Sequence, residues 1–271
     1  PRADADGGWK DIIEDFTEEF FEFYFPEVHR EVDFSGEISF LDKELQRITP
    51  ESETGDRVAD KLVQVQLKSG ESQWLLVHVE VQGYPDPDFA RRMYIYNSRI
   101  YDRYNRDVIS LAVLADDDPG FRPESYTRGR MGFEMTCRFP TVKLIDYDKD
   151  ALAASDRTFA VVTRIHLAHL EAGTHLPKRF AARLALTREL YRHGYDRERI
   201  VRLYRFMGFL MRLPDDLAVQ YRKELESIEG ELNMPYITDT ERLAKAEGRS
   251  EGRSEGRSEG RSEGRREGEL Q

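Results

Sequence analysis

Residues 60–82 contain two runs of period-two alternation, KLVQVQL at 61–67 and QWLLVHVEVQ at 73–82, separated by the polar loop KSGES. Alternation at that period marks strands, and a short Gly-containing loop between two such runs marks a β-hairpin. In the second run Leu75, Val77, Val79 and Val81 fall on one face. Trp74, Leu76, His78, Glu80 and Gln82 fall on the other, which turns polar only at its end. Glu80 and Gln82 then stand about 7 Å apart at the strand's carboxyl end. Antiparallel pairing brings the start of the first strand beside the end of the second, so Asp60 meets both.

Two carboxylates at such a distance repel unless something neutralises them, and a hard divalent cation with oxygen ligands does so. Mg²⁺ fits, taking one oxygen each from Asp60 and Glu80 and one from the Val81 carbonyl. It keeps waters that act as nucleophiles or hold a phosphate oxygen. On the residues alone a second reading stays open, in which Asp60 begins a strand and Glu80 faces solvent.

After Gly83, YPDPD reads as a turn with Asp88 as a helix cap. Phe89, Met93, Tyr96, Ile100 and Tyr104 then recur at helical spacing, with Arg92, Arg99 and Arg103 on a neighbouring stripe. Across 88–106 there are five Arg and two Asp, and the planar Arg fork suits phosphate oxygens. The alternative is that these arginines pair with an acidic first helix. VISLAVLA, bounded by DDDPG, reads as a strand covered on both faces. Strand, helix and strand make a β-α-β step, so the expected class is α/β, a mixed β-sheet flanked by helices.

Asp60 opening one strand, followed after a hairpin by Glu80-x-Gln82, resembles the PD-(D/E)XK nuclease superfamily with Gln in the Lys position. DFARRMYIYNSRIYDRY and then VISLAVLAD are similar to the bacterial recombination-promoting nuclease family, also labelled a transposase family, in which Glu-x-Gln is usual. Phe89, Arg92 and Tyr96 fit its F-x-x-R-x-x-x-Y pattern, and the likeness spans most of 9–245 with the Glu-Gly-Arg tail beyond. The resemblance implies a restriction-endonuclease-like core followed by a helical C-terminal region. It implies a metal-dependent DNA endonuclease that hydrolyses phosphodiester bonds, linked to recombination or mobile elements. Asp60, Glu80 and Gln82 would be catalytic, with Asp60 and Glu80 holding Mg²⁺ or, in its place, Mn²⁺. DNA is the implied partner, met by Arg92, Tyr96 and Arg99. The superfamily's first core helix often adds a carboxylate, for which Glu14 and Glu18 are candidates, and Glu44 is another acidic contributor. Gln82 cannot supply the charge of the commoner Lys. Arg92 would bring it from another direction.

The remainder frames this site. WKDIIEDFTEEFFEFYFPEV at 9–28 reads as one helix with Ile12, Phe16, Phe20 and Phe23 on its apolar side and Pro26 at its end. Residues 34–48 hold a short strand or a helical turn, and 50–57 a loop by composition. In MGFEMTCRF, Met131, Phe133, Met135, Cys137 and Phe139 alternate as in a buried strand, so the single Cys137 reads as core. TVKLIDY is a further strand candidate. From about 151 the pattern is helical throughout. Across 178–212 ten Lys or Arg face three Asp or Glu, with Tyr191, Tyr195 and Tyr204 interleaved, which makes either a nucleic-acid face or a solvated helical one. His166 and His169 have weak metal spacing and read as packed or surface residues.

The expected domains are a nuclease-like core at 1–150, a helical region at 151–240 and a low-complexity tail at 241–271. In that tail EGRS runs four times, and its mixed charge allows a homo-oligomer or loose phosphate contact. A net charge of −11 argues against whole-surface capture of nucleic acid, so any contact is local. One cysteine, no leader-like start and no long apolar run indicate a cytoplasmic protein without a membrane segment. Two other function classes remain: a catalytically inactive nucleic-acid-binding or assembly protein on the same scaffold, and a helical partner protein with no nucleic-acid role.

Overall fold

In a computed structural model that describes residues 3–48, 58–80, 86–238 and 240, three helices come first: α1 (Ala3–Asp15), α2 (Thr17–Tyr24) and α3 (Pro26–Glu31). The single helix expected over 9–28 is broken twice. Phe16 sits at φ −139°, ψ 51° and Phe25 at φ −134°, ψ 62°, both outside helical geometry. Pro26 follows the end of α2, whose C-cap is Phe25, as expected, and it also occupies the first turn of α3, where a missing N–H leaves no bond unmade. The breaks rotate successive aromatics inward, so Phe20, Phe21, Tyr24 and Phe25 are all buried while Phe23 stacks at the margin on Tyr147.

The segment left ambiguous in sequence forms both options, β1 (Ser39–Phe40) and then α4 (Asp42–Ile48). The hairpin follows as β2 (Val58–Gln66) and β3 (Ser72–Glu80), then the crossover helix α5 (Phe89–Tyr104) and β4 (Val108–Leu114). The next three strands are β5 (Ser125–Arg130), β6 (Phe133–Arg138) and β7 (Thr141–Lys143). Five helices close the described chain: α6 (Lys149–Ala153), α7 (Thr158–Ala172), α8 (Leu176–Arg192), α9 (Arg197–Leu210) and α10 (Asp215–Leu232). The predicted loop at 50–57 and the repeat tail at 241–271 lie outside the described residues.

The central sheet has the order β1-β2-β3-β4-β7. β1, β2 and β3 are antiparallel neighbours, whereas β4 is parallel to both β3 and β7. The expected mixed sheet with a β-α-β step is therefore present. β4, central and apolar, is buried along most of its length.

Alternation along the strands divides two packing layers. Val63, Val65, Leu75, Leu111 and Val113 enter the larger core with Trp9 and Ile12 of α1, Phe159 and Ile165 of α7, and Phe206 of α9. Trp74, Leu62 and Leu76 turn the other way and meet Tyr96 and Ile100 of α5. Ala112 and Leu114 meet Phe89 and Met93 of the same helix. Each fully buried Leu, Ile or Phe contributes about 1.5–3 kcal/mol, and the larger core draws these from both sides of position 150. The helical region expected as a separate unit thus shares its core with the sheet.

The alternating segment at 131–139 is a strand, but not a core one. β5 and β6 pair only with each other, and Met131 and Phe133 are exposed. Cys137 is half-buried against the Phe89 cluster, and burial raises its thiol pKa, in keeping with an inert packing residue. Among the described residues no helix is long and apolar enough to cross a membrane.

Candidate active site

The hairpin register is fixed at both ends. At the turn, Leu67 N–H donates to the Glu71 carbonyl at 2.7 Å and Gly70 takes φ +89°. Along the strands, Leu62 pairs with Leu76 and Val63 with Leu75, each pair buried in a different layer, so a one-residue slip would invert both faces. That register sets Asp60 opposite His78 and Val58 opposite Glu80. By alternation positions 60, 78 and 80 belong with Leu62 and Leu76, on the α5 side. Asp60 and Glu80 are diagonal neighbours, at about 7–8 Å between backbone positions. The side chains of Asp60 and Glu80, and all of Val81 and Gln82, lie outside the described residues.

Parallel pairing extends the row. Glu80 is level with Leu114, and Leu114 with Lys143, so positions 80, 114 and 143 share one face at the carboxyl ends of three parallel strands. Open α/β sheets bind ligands at such an end. Two residues beyond Leu114, Asp116 is fully buried and its Oδ1 accepts from Lys143 Nζ at 2.5 Å. Lys143 Nζ also lies 5.6 Å from the Phe121 ring centroid, and Phe121 packs on Phe89. Asp116 and Lys143 were not singled out in the sequence. Asp116 is the first of three aspartates that read as a strand boundary, and only the register of the short β7 aligns Lys143 with Glu80.

The candidate carboxylates of the first helix separate. Glu14 accepts from the buried Lys61 Nζ at the Asp60 end of β2, on the α1 side of the sheet, whereas Glu18 faces His29 at 3.5 Å. Glu14 therefore reaches the right end of the sheet through the neighbour of Asp60, from the opposite layer. Glu44 is half-exposed on α4, and its backbone carbonyl accepts from the Tyr104 hydroxyl at 3.3 Å.

Several of the residues singled out in the sequence lie on α5 or at its start. Asp88 occupies the cap position without a side-chain capping bond; its own N–H donates to Asp86 Oδ1 at 2.8 Å. Tyr96, expected at nucleic acid, is 2% exposed and packs with Leu76 and Ile100. Arg92 forms an ion pair with Asp86 rather than with the first helix, which packs on the other face of the sheet. Arg99 is half-buried on the same helix. Acids of the first helices draw cations from α9, Arg202 to Asp15 at 3.4 Å and Arg199 to Glu19 at 3.5 Å, as well as from Lys61 to Glu14 and Arg157 to Glu22.

The basic stretch 178–212 is largely occupied in the same way. Arg183 lies over the Tyr221 ring at 4.4 Å and donates to the Met211 carbonyl at 3.2 Å. Arg179 donates to the Gly173 and Arg212 carbonyls. Tyr191 is buried on Glu229, and the Tyr195 hydroxyl donates to the Asp156 carbonyl at 2.9 Å. Packing of a helical layer accounts for these residues.

His166 is fully buried, as the packed reading expects. Its Nε2 lies 2.6 Å from the Ala115 carbonyl and its Nδ1 accepts from Trp9 Nε1 at 3.4 Å, so Nε2 carries the proton. Burial first, and the neighbouring His169 second, lower its pKa to about 3. Among the described residues no group of three or more His, Cys, Asp or Glu is arranged to hold a metal. No protein-family model, curated protein or solved structure matches the chain.

Proposed function

We propose that the chain is a metal-dependent DNA endonuclease with a restriction-endonuclease-like core, its active site at the carboxyl ends of β3 and β4. The observation that carries this reading is the hairpin register, with Asp60 and Glu80 diagonal on one face of a sheet end. The order of three antiparallel strands, a crossover helix and a parallel fourth strand supports it further. Two carboxylates at that spacing fit the oxygen-donor set of Mg²⁺ or Mn²⁺. Bound there, such an ion supplies a Lewis acid for a phosphoryl oxygen and a more acidic water.

Asp60 and Glu80 would hold the ion, and Gln82 would orient a water through its amide. Gln82 brings no charge, and two cations in the layer on that face of the sheet, Lys143 and Arg92, are each tied to a carboxylate, Asp116 and Asp86. Chemistry that depends on one of them requires that pair to loosen around the phosphate. That cost favours slow or conditional cleavage.

The uncharged Gln82 also supports the second reading, a nucleic-acid-binding or assembly protein that keeps the scaffold without the reaction. Nicking of supercoiled plasmid in Mg²⁺ or Mn²⁺ separates the two when Asp60→Asn and Glu80→Gln are purified alongside the parent. Cleavage that both substitutions abolish supports the nuclease. DNA retention without cleavage by any of the three supports the inactive scaffold, and equal cleavage by all three rejects this site.

A further inference from the structure

The ribbon β5–β6 contributes little to the core, and its shape and charge need another explanation. Its two strands are joined through Met131 at φ 54° and Gly132 at φ 83°, both left-handed as a two-residue hairpin turn demands. At its base, Cys137 packs against the cluster of Phe89, Leu114 and Phe139, and Leu114 is the strand partner of Glu80. The ribbon therefore springs from the same face and end of the sheet as the proposed active site.

Midway along, α5 braces it. The Tyr126 ring stacks on Tyr94 at 5.4 Å and 22°. Arg128 lies over the rings of Tyr94 and Phe133, 5.4 and 5.8 Å from their centroids, and donates to the Tyr94 hydroxyl at 3.3 Å. Beyond this brace Met131 is 92% exposed and Phe133 57%. Register pairs Arg130 with Phe133 and Arg128 with Met135, so both arginines share a face with the exposed ring. Within 125–138 three Arg face a single Glu in a chain of net charge −11, and Arg130 and Arg138 form no ion pair among the described residues.

We propose that this ribbon is a DNA-contacting arm that enters a groove of duplex DNA, with Arg128 and Arg130 on the phosphates and Met131 and Phe133 as an apolar tip. The inference rests on the nuclease reading and names the surface by which that site would hold its substrate. A two-stranded ribbon matches the width of the major groove. Apolar side chains beside arginines match the chemistry of a stacked, polyanionic ligand. An arginine already laid on an aromatic ring loses less freedom when it meets a phosphate.

The test is binding of a fluorescein-labelled duplex to the full chain in EDTA, across a salt series. Arg128→Ala/Arg130→Ala and Met131→Ser/Phe133→Ser are compared with the parent and with Asp60→Asn, and thermal melts report folding. The arginine pair is expected to weaken binding at least tenfold and to flatten the log–log salt slope by about 1.8, at about 0.9 per lost phosphate contact. The apolar pair is expected to weaken binding with the slope retained, and Asp60→Asn is carried through the plasmid-nicking assay as the report on the active site. Parent-like binding by both ribbon variants overturns the arm and leaves the nuclease reading intact if Asp60→Asn abolishes cleavage. Competition by polyglutamate as effective as by DNA at equal charge overturns it in favour of an acidic protein partner. A parent that retains no duplex at any salt concentration overturns both.

Discussion

Lys143 Nζ lies 2.5 Å from Asp116 Oδ1, and the two side chains are 3% and 0% exposed. The pair ties the segment after β4 to the neighbouring strand β7, level with Glu80. Asp116 Oδ1 also accepts from Asp118 N–H at 3.0 Å, whereas Oδ2 has no hydrogen-bond partner among the described residues. A buried pair of this kind is costly to halve, because the remaining charge keeps its desolvation penalty and loses its counter-ion. Asp116→Ala or Lys143→Ala is expected to lower stability by about 3–5 kcal/mol, and the apolar double variant Asp116→Leu/Lys143→Met by much less. Urea unfolding of these proteins and of Asp116→Ala/Lys143→Ala, which closes a double-mutant cycle with the two singles, checks this; additive losses in that cycle would contradict the pairing.

His166 predicts a pH dependence. Its pKa falls from 6.5 to about 3 in the fold, first because burial penalises the charged ring. Between those values the unfolded chain binds a proton that the folded chain refuses. Stability from this group is thus complete above pH 6.5 and lost as pH drops toward 3. The loss amounts to about 1.4 kcal/mol per pH unit within that window. His166→Gln, which can still accept from Trp9 and donate to Ala115, is expected to show a correspondingly shallower decline between pH 6 and pH 4. Denaturant midpoints at several pH values decide it, and identical slopes for parent and variant would mean that His166 does not stay neutral.

The sheet was legible because its signals are local. Alternation in 61–82, helical spacing from Phe89 to Ile100 and the apolar run at 108–115 each specify an element, and adjacency specifies the β-α-β step. That positions 60 and 80 fall at the same end of the hairpin could be read in advance because a hairpin's register follows from its turn, which sets Asp60 opposite His78 and diagonal to Glu80. What stayed hidden depends on contacts distant in sequence. Tyr96 and Arg92 lie on one helix, and spacing alone does not reveal that one enters the core while the other meets Asp86. The ribbon 125–138 has the alternation of a core strand, yet among the described residues no neighbouring strand or helix covers its tip. Asp116 and Lys143 meet only because β7 adds in parallel beside β4, across an intervening ribbon.

Glu229 anchors the end of the described chain. It is 2% exposed, takes the Tyr191 hydroxyl, and accepts from Ile237 N–H at 2.7 Å and from Thr238 N–H at 3.2 Å. Those backbone donors lose a charged acceptor in Glu229→Ala, at a cost of about 2–3 kcal/mol. Because the bonds run to 237 and 238, faster proteolysis should begin there before global unfolding. Glu229→Gln, which keeps an acceptor, should fall between parent and Ala. Limited proteolysis with mass mapping of the first cut distinguishes this from a general loss of stability.

The carboxylate pair makes a prediction that needs no catalysis. A ligand that binds only the folded state stabilises it by RT ln(1 + [L]/Kd), about 1.4 kcal/mol at ten times Kd. For a chain of this size that raises the melting temperature by about 3–6 °C. Mg²⁺ or Mn²⁺ is expected to produce such a shift in the parent, with Ca²⁺ as a non-catalytic control that shifts it too. Asp60→Asn and Glu80→Gln each remove one charge from a repelling pair, so without metal they should melt no lower than the parent. With metal they should not move. A parent whose melting temperature ignores all three ions up to high millimolar concentration would argue that Asp60 and Glu80 do not form a metal site, whatever the chain does to DNA.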